Sequence, residues 1–260
     1  MTDQPVLLDR TGAVLTVTLN RPHRKNAIDL PMWAGLYDAF HDAERDDDVR
    51  VVVVTGAGGD FCAGADLSAD RKDHPLTRMH RVNDVALALN EISKPTIAKV
   101  DGVAVGAGWN LALGCDLVVA TERARFSQIF ARRGLSLDLG GSWLLPRHVG
   151  LQQAKRLALR AEMIDAAEAL GLGLVTWVRP VDELDSFVDS IAAELAELPP
   201  VALALSKRLL EEGASRTLRE ALEGEARAQT VNFATEDAPA AFEAFLTKTE
   251  AKYTGRWAVR

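Results

Sequence analysis

The sequence predicts an α/β fold. The main observation is a pattern that occurs twice in the first half of the chain: a short apolar strand runs directly into a loop rich in glycine and alanine, at residues 51–67 and again at 97–110. The continuous β-branched run at 51–54 is typical of a strand buried on both faces of a parallel sheet. Two copies of this unit indicate a weak internal structural repeat.

The C-terminal part is predicted to be entirely helical. The diproline Pro199-Pro200 interrupts the chain, and apolar residues with helical spacing follow it in three segments, at 201–212, 218–232 and 239–248, the last with Asp237 as its predicted cap. We therefore predict two parts, a core over residues 1–198 and a helical region over residues 199–260.

The remaining elements follow from local signals. Strands are predicted at 6–9, 14–19, 124–129 and 175–178, and helices at 29–43, 82–92, 152–159, 165–171 and 182–198, with a further short helix ending at Pro146. Asp29 is placed to cap its helix, and Asp165 with Glu168 resembles a capping box. The polar segment 68–81 is predicted to be a loop.

The composition excludes several classes of protein. With 30 basic and 37 acidic side chains among 260 residues, the net charge of −7 disfavours a nucleic-acid-binding protein. Two cysteines, Cys62 and Cys115, indicate buried free thiols in a reducing compartment. No signal peptide and no apolar run of the ~18 residues needed to cross a membrane is visible. These features predict a cytoplasmic protein.

Several catalytic and binding motifs fail at single positions. The pattern that starts at Gly106 has Leu111 where a dinucleotide-binding loop needs its third glycine. The stretch around Ser142 continues with Leu144 where a serine-hydrolase elbow needs glycine. The five histidines and two cysteines lack the spacing of metal ligands, so no metal site is predicted.

What remains is the pair of small-residue loops, each of which can present backbone N–H groups beside a helix start. Such donors can stabilise an oxygen atom that becomes negative during a reaction, such as a thioester carbonyl that becomes an enolate. The alternative is that both loops are tight turns whose glycines serve packing alone. Spacing by itself leaves these two interpretations open.

Both loops resemble the signature loops of the crotonase (enoyl-CoA hydratase/isomerase) family. The resemblance covers almost the entire chain and rests on these motifs: Phe61-Cys62-Ala63-Gly64-Ala65-Asp66-Leu67, residues 102–110, Asn20-Arg21-Pro22, Lys94-Pro95, Gly114-Cys115-Asp116 and Leu145-Pro146-Arg147. It implies a spiral of ββα repeats with a C-terminal helical trimerisation region. It also implies an oxyanion hole formed by the backbone N–H groups of Ala63 and Ala107 around an acyl-CoA thioester oxygen.

The sequence departs from the hydratases of this family at two positions. Where those enzymes carry the two glutamates that activate water, this chain has Asn110 and Phe130. Neither side chain can act as a base near neutral pH. Asp138 is the remaining carboxylate nearby, and its apolar neighbours should raise its pKa. It could instead cap the helix that begins near Gly140, but resemblance to dienoyl-CoA and ring-1,2-epoxyphenylacetyl-CoA isomerases favours a catalytic role.

The resemblance also implies contacts with substrate. Arg24 and Lys25 would meet CoA phosphates, unless they are merely solvated loop charges, and Phe245 and Lys248 would close over the nucleotide, with core packing as the alternative for Phe245. The other expected contacts are Ala65, Asp66, Leu67, Trp109, Asn110 and Phe130. Asp66 could also cap a helix.

The sequence as a whole thus predicts an acyl-CoA isomerase. Asp138 would move a proton between two carbons, and no cofactor is expected because CoA is part of the substrate. An enoyl-CoA hydratase and a non-catalytic acyl-CoA-binding protein remain as alternatives. The expected assembly is a homotrimer or a dimer of trimers, without nucleic acid or membrane partners.

Overall fold

The computed structural model describes residues 4–68 and 73–258, which form two compact units. The first contains the described residues up to Ile92 together with Thr96–Ala192, and the second contains Ser93–Pro95 and the chain from Ala193 onward. The second unit therefore begins shortly before the diproline that the sequence suggested as the boundary. Among the described residues, no helix is both long and apolar enough to span a bilayer.

The first unit is built on two sheets, which confirms the α/β class. The larger sheet has the strand order β1-β2-β3-β4-β6-β9 and the smaller has β5-β7-β8. The strands are β1 (Val6–Thr11), β2 (Val14–Leu19), β3 (Val51–Gly56), β4 (Thr96–Val100), β5 (Val103–Val105), β6 (Leu117–Thr121), β7 (Arg125–Ser127), β8 (Ile164–Asp165) and β9 (Trp177–Arg179). From β2 to β9 every neighbouring pair in the larger sheet is parallel, and residues 51–54 of β3 are buried as their β-branched pattern predicts.

Helices pack around these sheets in the first unit, and three further helices form most of the second. They are α1 (Leu30–Arg45), α2 (Pro75–Asn90), α3 (Ala107–Leu113), α4 (Gly141–Arg160), α5 (Ala166–Gly171), α6 (Leu184–Glu197), α7 (Pro200–Gly213), α8 (Leu218–Phe233) and α9 (Asp237–Thr247). The expected loop at 68–81 is shorter than predicted, because α2 already begins at Pro75. Residues 69–72 of that loop lie outside the described part of the chain.

Two predicted helix caps are present in the first unit. The Asp29 carboxylate accepts a 3.0 Å hydrogen bond from the Met32 N–H at the start of α1, and the Asp165 carboxylate accepts one of 2.9 Å from the Glu168 N–H at the start of α5. Each satisfies a backbone donor that the first turn of a helix leaves without an intrahelical acceptor.

One expectation about helices needs a new boundary and one was wrong. The predicted short helix near Pro146 and the helix at 152–159 are both present as the two halves of α4, which are separated at Gly150 (φ 71°, ψ 163°), so the first continues past Pro146 instead of ending there. Asp237 does not cap α9. Its buried carboxylate accepts hydrogen bonds from the N–H groups of Thr254 (2.6 Å) and Gly255 (2.9 Å), so it ties the C-terminal segment to the start of the helix.

Candidate active site

The two small-residue loops lie side by side. The Cys62 N–H donates to the Val103 carbonyl oxygen and the Val105 N–H donates to the Cys62 carbonyl oxygen, both at 2.9 Å. Gly64 makes this approach possible: its φ is +92°, and a Cβ at this position would lie 2.8 Å from the Val105 carbonyl oxygen and 3.6 Å from the Ala107 nitrogen. The loop after β3 therefore contacts the start of α3, as an oxyanion hole built from both loops requires.

Ala63 cannot supply the donor that was expected of it. Its N–H already donates a 2.9 Å hydrogen bond to the Lys25 carbonyl oxygen. A donor held in this way inside the protein is not available to a substrate oxygen. The assignment of Ala63 to the oxyanion hole is therefore corrected.

Ala65, two residues further on, has the free donor. The Ile28 N–H donates to the Gly64 carbonyl oxygen and the Asp66 N–H donates to the Ile28 carbonyl oxygen, each at 2.8 Å. In an extended segment alternate peptide groups point to opposite sides, so the Ala65 N–H points away from Ile28. No described residue accepts a hydrogen bond from it.

Ala107 presents a second free donor. It is the first residue of α3, where an N–H has no intrahelical acceptor, and no described residue supplies another. Gly106 precedes it with φ +57° and ψ −125°, a conformation that favours glycine. The N–H of Ala107 and that of Ala65 thus lie at the junction where Gly64 touches the start of α3.

A cavity of about 420 Å³ opens beside Ala65. Most of its wall is apolar and comes from α1, α2, the 65–67 loop and the 135–138 loop. Its lining includes Ile28, Trp33, Leu67, Met79, Val82 and Leu137. Three of the expected substrate contacts line this cavity, Ala65, Asp66 and Leu67, and so does Asp138, the expected catalytic residue. Its volume falls in the range usual for sites that bind small organic ligands.

Asp138 differs from the other two carboxylates in this wall. Its Oδ1 atom is buried and accepts no hydrogen bond from any described residue, and burial raises the pKa of its carboxyl from 3.8 to about 6. Burial has this effect because it disfavours the charged form. The alternative role as a helix cap is excluded, since Gly140 precedes α4 and no side chain caps that helix.

Asn110 holds the Asp138 backbone in place. Its side-chain Nδ2 donates a 2.9 Å hydrogen bond to the Asp138 carbonyl oxygen, and its Oδ1 accepts one of 2.8 Å from the buried Gln128 Nε2. Asn110 is itself buried and does not line this cavity. Asn110 lines a second cavity of about 390 Å³, so its expected contact with substrate stays a prediction beside this positioning role. Gln128 is a participant that the sequence did not single out.

The other two cavity carboxylates are ion-paired. Arg21 lies 3.0 Å from Asp66 and 3.2 Å from Asp29. Hydrogen bonds from Ser68 and contact with Arg21 lower the pKa of Asp66 to about 2. Asp66 therefore remains ionised and engaged, and its side chain forms a turn with Ser68 rather than capping a helix. Among the described carboxylates that line the cavity, Asp138 is the one whose pKa is raised.

Trp109 and Phe130 lie in the protein interior. Trp109 packs against Phe126 with ring centroids 5.4 Å apart, and both Trp109 and Phe130 are buried without lining the cavity beside Ala65. Trp109 therefore belongs to the core. The expected place of Phe130 in an acyl pocket stays a prediction, since its ring lies beside Gly106, where an added Cβ would be 3.6 Å from the ring carbon Cζ. The aromatic side chain in the cavity wall is that of Trp33 on α1, a residue that the sequence analysis did not single out.

The residues expected to meet CoA are all exposed. Arg24 has no ion-pair partner among the described residues, and Lys25 lies 3.4 Å from Asp60. Phe245 is 84% exposed, which rules out the core-packing alternative within this chain. Lys248 is exposed at the end of α9. Their contacts with CoA remain predictions.

Comparison with known proteins identifies the family of this chain. The sequence of residues 9–256 matches the family model for enoyl-CoA hydratase/isomerase. The 1,2-epoxyphenylacetyl-CoA isomerase of Escherichia coli is 36% identical over 251 residues, which cover 94% of this chain and 95% of that protein. The short-chain-enoyl-CoA hydratase of Clostridium acetobutylicum is 36% identical over 247 residues, with 94% and 95% covered.

A solved structure extends the likeness to the fold. The enoyl-CoA hydratase of Bacillus anthracis superposes with a TM-score of 0.92 at 31% identity, covering 97% of this chain and all of that one. The match spans both small-residue loops, the cavity and the C-terminal helices, so the crotonase-type fold predicted from the motifs is confirmed. The chain belongs to the enoyl-CoA hydratase/isomerase family.

Proposed function

We propose that this protein is an acyl-CoA isomerase that shifts a carbon–carbon double bond. The observation that carries the proposal is the position of Asp138. Its buried Oδ1 atom has no hydrogen-bond partner among the described residues, and it lies in the same cavity wall as Ala65, whose N–H is free of them too. A proton shuttle needs a group that can both accept and release a proton near neutral pH, and a pKa of about 6 suits that task.

In the proposed reaction the thioester oxygen accepts hydrogen bonds from the N–H groups of Ala65 and Ala107. The Asp138 carboxylate removes a proton from C2 of a 3-enoyl-CoA, and the electron pair of that C–H bond delocalises into the thioester as a dienolate. The carboxylic acid then returns the proton to C4, which leaves the double bond between C2 and C3. No atom is gained or lost. Removing one oxyanion donor typically costs ~3 kcal/mol of transition-state stabilisation.

Hydration is the second candidate, because relatives with that activity in their names are as similar to this chain as the isomerase is. It needs a group that activates water and a source of the proton added to C2. Of the four described ionisable groups in the cavity wall, Asp29 and Asp66 are paired with Arg21 and Arg78 is a cation. Asp138 alone would have to do both tasks, and this favours isomerisation.

A product assay separates the two reactions. Purified protein is given trans-3-hexenoyl-CoA and, separately, trans-2-hexenoyl-CoA, and the products are identified by mass spectrometry and chromatography. Isomerisation gives the 2-enoyl ester from the first substrate with unchanged mass. A 3-hydroxyacyl product 18 Da heavier, formed from the second substrate at a higher kcat/KM, would instead establish a hydratase. Tight binding of both esters without any product would support the non-catalytic alternative.

We also propose that copies of this chain associate through the C-terminal helices. α9 exposes three large apolar side chains, Phe242, Phe245 and Leu246, a density of exposed apolar surface that usually marks an interface. A homotrimer or a dimer of trimers is the assembly that the family resemblance implies.

A further inference from the structure

Arg78 places in the wall of the cavity a guanidinium that has no ion pair with any residue the structure describes. It lies on α2, one turn after the helix begins, and lines the cavity together with Ala65 and Asp138. The side chain is half-buried, and its Nε atom is buried and donates no hydrogen bond to any of residues 4–68 and 73–258. Arginine is always charged at physiological pH and has five N–H donors to satisfy, so this arrangement requires an explanation.

None of the cavity's described acidic groups neutralises Arg78. Asp29 and Asp66 both pair with Arg21. Asp138 and Arg78 share no ion pair and no side-chain hydrogen bond, since the buried Oδ1 of the one and the buried Nε of the other both lack partners in the described part of the chain. Outside the cavity the guanidinium has no ion pair with any described residue either.

Arg81 shows the ordinary arrangement on the same helix. Less than one turn away from Arg78, it is exposed and lies 2.5 Å from the Asp73 carboxylate. The neighbours of Arg78 in the cavity wall are instead largely apolar, with Trp33, Met79 and Val82 among them. A guanidinium with a buried, unpaired donor in apolar surroundings is unfavourable until an anion or another acceptor reaches it.

We propose that Arg78 binds a carboxylate at the end of the acyl chain remote from the thioester, so that the preferred substrates are ω-carboxyacyl-CoA esters. The proposal rests on the proposed function, because it needs the thioester at Ala65 and the acyl chain in this cavity. A carboxylate matches the paired donors of a guanidinium in geometry as well as charge. The apolar wall between the two ends would hold the methylene carbons.

A phosphate of CoA is the other anion that could reach Arg78. The two sources differ in one respect: CoA is common to all substrates, whereas the terminal carboxylate is not. A substitution of Arg78 therefore weakens every acyl-CoA equally if it binds phosphate, but weakens only the carboxylate-ended esters if it binds the acyl chain.

The test measures equilibrium binding of two saturated esters of equal chain length, adipoyl-CoA with a terminal carboxylate and hexanoyl-CoA with a terminal methyl group. Neither can be isomerised, so the result does not depend on turnover. The variants are Arg78→Met, Arg78→Lys and, as a matched control on the same helix, Arg81→Met. Calorimetry gives each Kd, and circular dichroism checks that each variant is folded.

The wild-type protein and Arg81→Met are expected to bind adipoyl-CoA more tightly than hexanoyl-CoA. Arg78→Met should weaken adipoyl-CoA binding by about 10- to 100-fold and leave hexanoyl-CoA unchanged or tighter. Arg78→Lys should retain part of the preference for adipoyl-CoA. If the methionine variant does not fold, the lysine variant replaces it in the test. Equal weakening of both esters, or no preference in the wild-type protein, would overturn the proposal. The preference for adipoyl-CoA is measured by binding alone, so a failure of the isomerase assay would not change it.

Discussion

The side-chain amide of Asn110 donates a 2.9 Å hydrogen bond to the backbone carbonyl oxygen of Asp138. This bond connects α3, whose first N–H is a proposed oxyanion donor, to the loop that carries the proposed base. Both parts of the site are therefore fixed relative to each other by one buried amide. Asn110 thus has a structural role in this chain, at a position where the resemblance to the hydratases led us to expect a water-activating glutamate.

Replacing Asn110 should damage stability and catalysis together. Asn110→Ala leaves the Asp138 carbonyl oxygen and the Gln128 Nε2 without their partners inside the protein. We expect a loss of about 3 kcal/mol in the free energy of unfolding, measured by urea denaturation, and a larger change in kcat than in KM. Asn83→Ala, at an exposed position on α2, is the control. A fully stable Asn110→Ala protein with wild-type kcat would show that the amide does not position Asp138.

The stability of the protein should depend on pH through Asp138. Its pKa of about 6 in the folded state lies above the ordinary value of 3.8, so the folded protein binds this proton more tightly than the unfolded chain does. The group's contribution is therefore most favourable below pH 4, declines as the pH rises through 4–6, and has lost up to about 3 kcal/mol above that range.

The comparison of Asp138→Asn with the wild-type protein isolates this effect. The variant should gain stability relative to wild type between pH 4 and pH 7.5, by up to about 3 kcal/mol. Urea denaturation at four pH values across this range measures the difference. Asp84→Asn, at an exposed position on α2, serves as a control for removing a surface charge. Parallel stability curves for Asp138→Asn and wild type would mean that the carboxyl is not desolvated.

The value of kcat/KM should also depend on the ionisation of Asp138. It should rise with pH, whereas the contribution of this group to stability falls. The proposed mechanism starts from the Asp138 carboxylate, so log kcat/KM for a 3-enoyl-CoA should rise with unit slope at low pH and level off above about pH 6. The measurement is a pH profile of initial rates at low substrate concentration. A profile that is flat from pH 4.5 to 7 would show that no group with this pKa acts as the base.

Gly64 should tolerate no side chain. Gly64→Ala would place a methyl group 2.8 Å from the Val105 carbonyl oxygen and so separate the loop from β5, and we expect at least a tenfold loss of kcat/KM with reduced stability. Gly173→Ala is the matched control, because that residue also has a positive φ (+76°) but no atom within 4 Å of the added carbon. It should cost about 1 kcal/mol of stability and leave kcat/KM unchanged. Equal effects of both substitutions on kcat/KM would refute a specific role for the close approach.

The assembly should depend on the apolar face of α9. A trimer would have about three times the chain mass of 28.1 kDa, and light scattering coupled to size-exclusion chromatography measures this directly. Phe245→Asp places a charge on a side chain that is 84% exposed in the single chain, so it should reduce the mass without unfolding the chain. Glu243→Gln, on the same helix, is the control. A wild-type protein that runs as a monomer would contradict the proposed association.

The sequence predicted the two loops and Asp138 because glycine, alanine and aspartate carry strong local signals. It could not identify which N–H of the first loop is free. That depends on the Lys25 and Ile28 carbonyl oxygens, which meet Ala63 and Asp66 only in the folded chain. The error of two residues, Ala63 for Ala65, therefore comes from pairing between distant segments.

The roles of Trp109, Asn110 and Arg78 were likewise beyond local patterns. An aromatic residue after a glycine-rich loop suits a pocket wall or a core equally well, and the packing of Trp109 on Phe126 decides for the core. The amide of Asn110 acquires its role from Gln128 and Asp138, 18 and 28 residues further along the chain. Arg78 lies in the polar segment 68–81, which was predicted to be a loop. Only the structure shows that it belongs to α2 and that its guanidinium has no ion pair with a described residue.

The most direct test of the account is the rate at which Asp138→Asn isomerises trans-3-hexenoyl-CoA, with the Kd for hexanoyl-CoA measured in parallel. We predict that the variant binds the saturated ester as the wild-type protein does and that its kcat falls by about 10²- to 10⁴-fold, the range for loss of a general base. A variant that keeps a kcat within a few-fold of the wild-type value would contradict the central claim that Asp138 carries the proton.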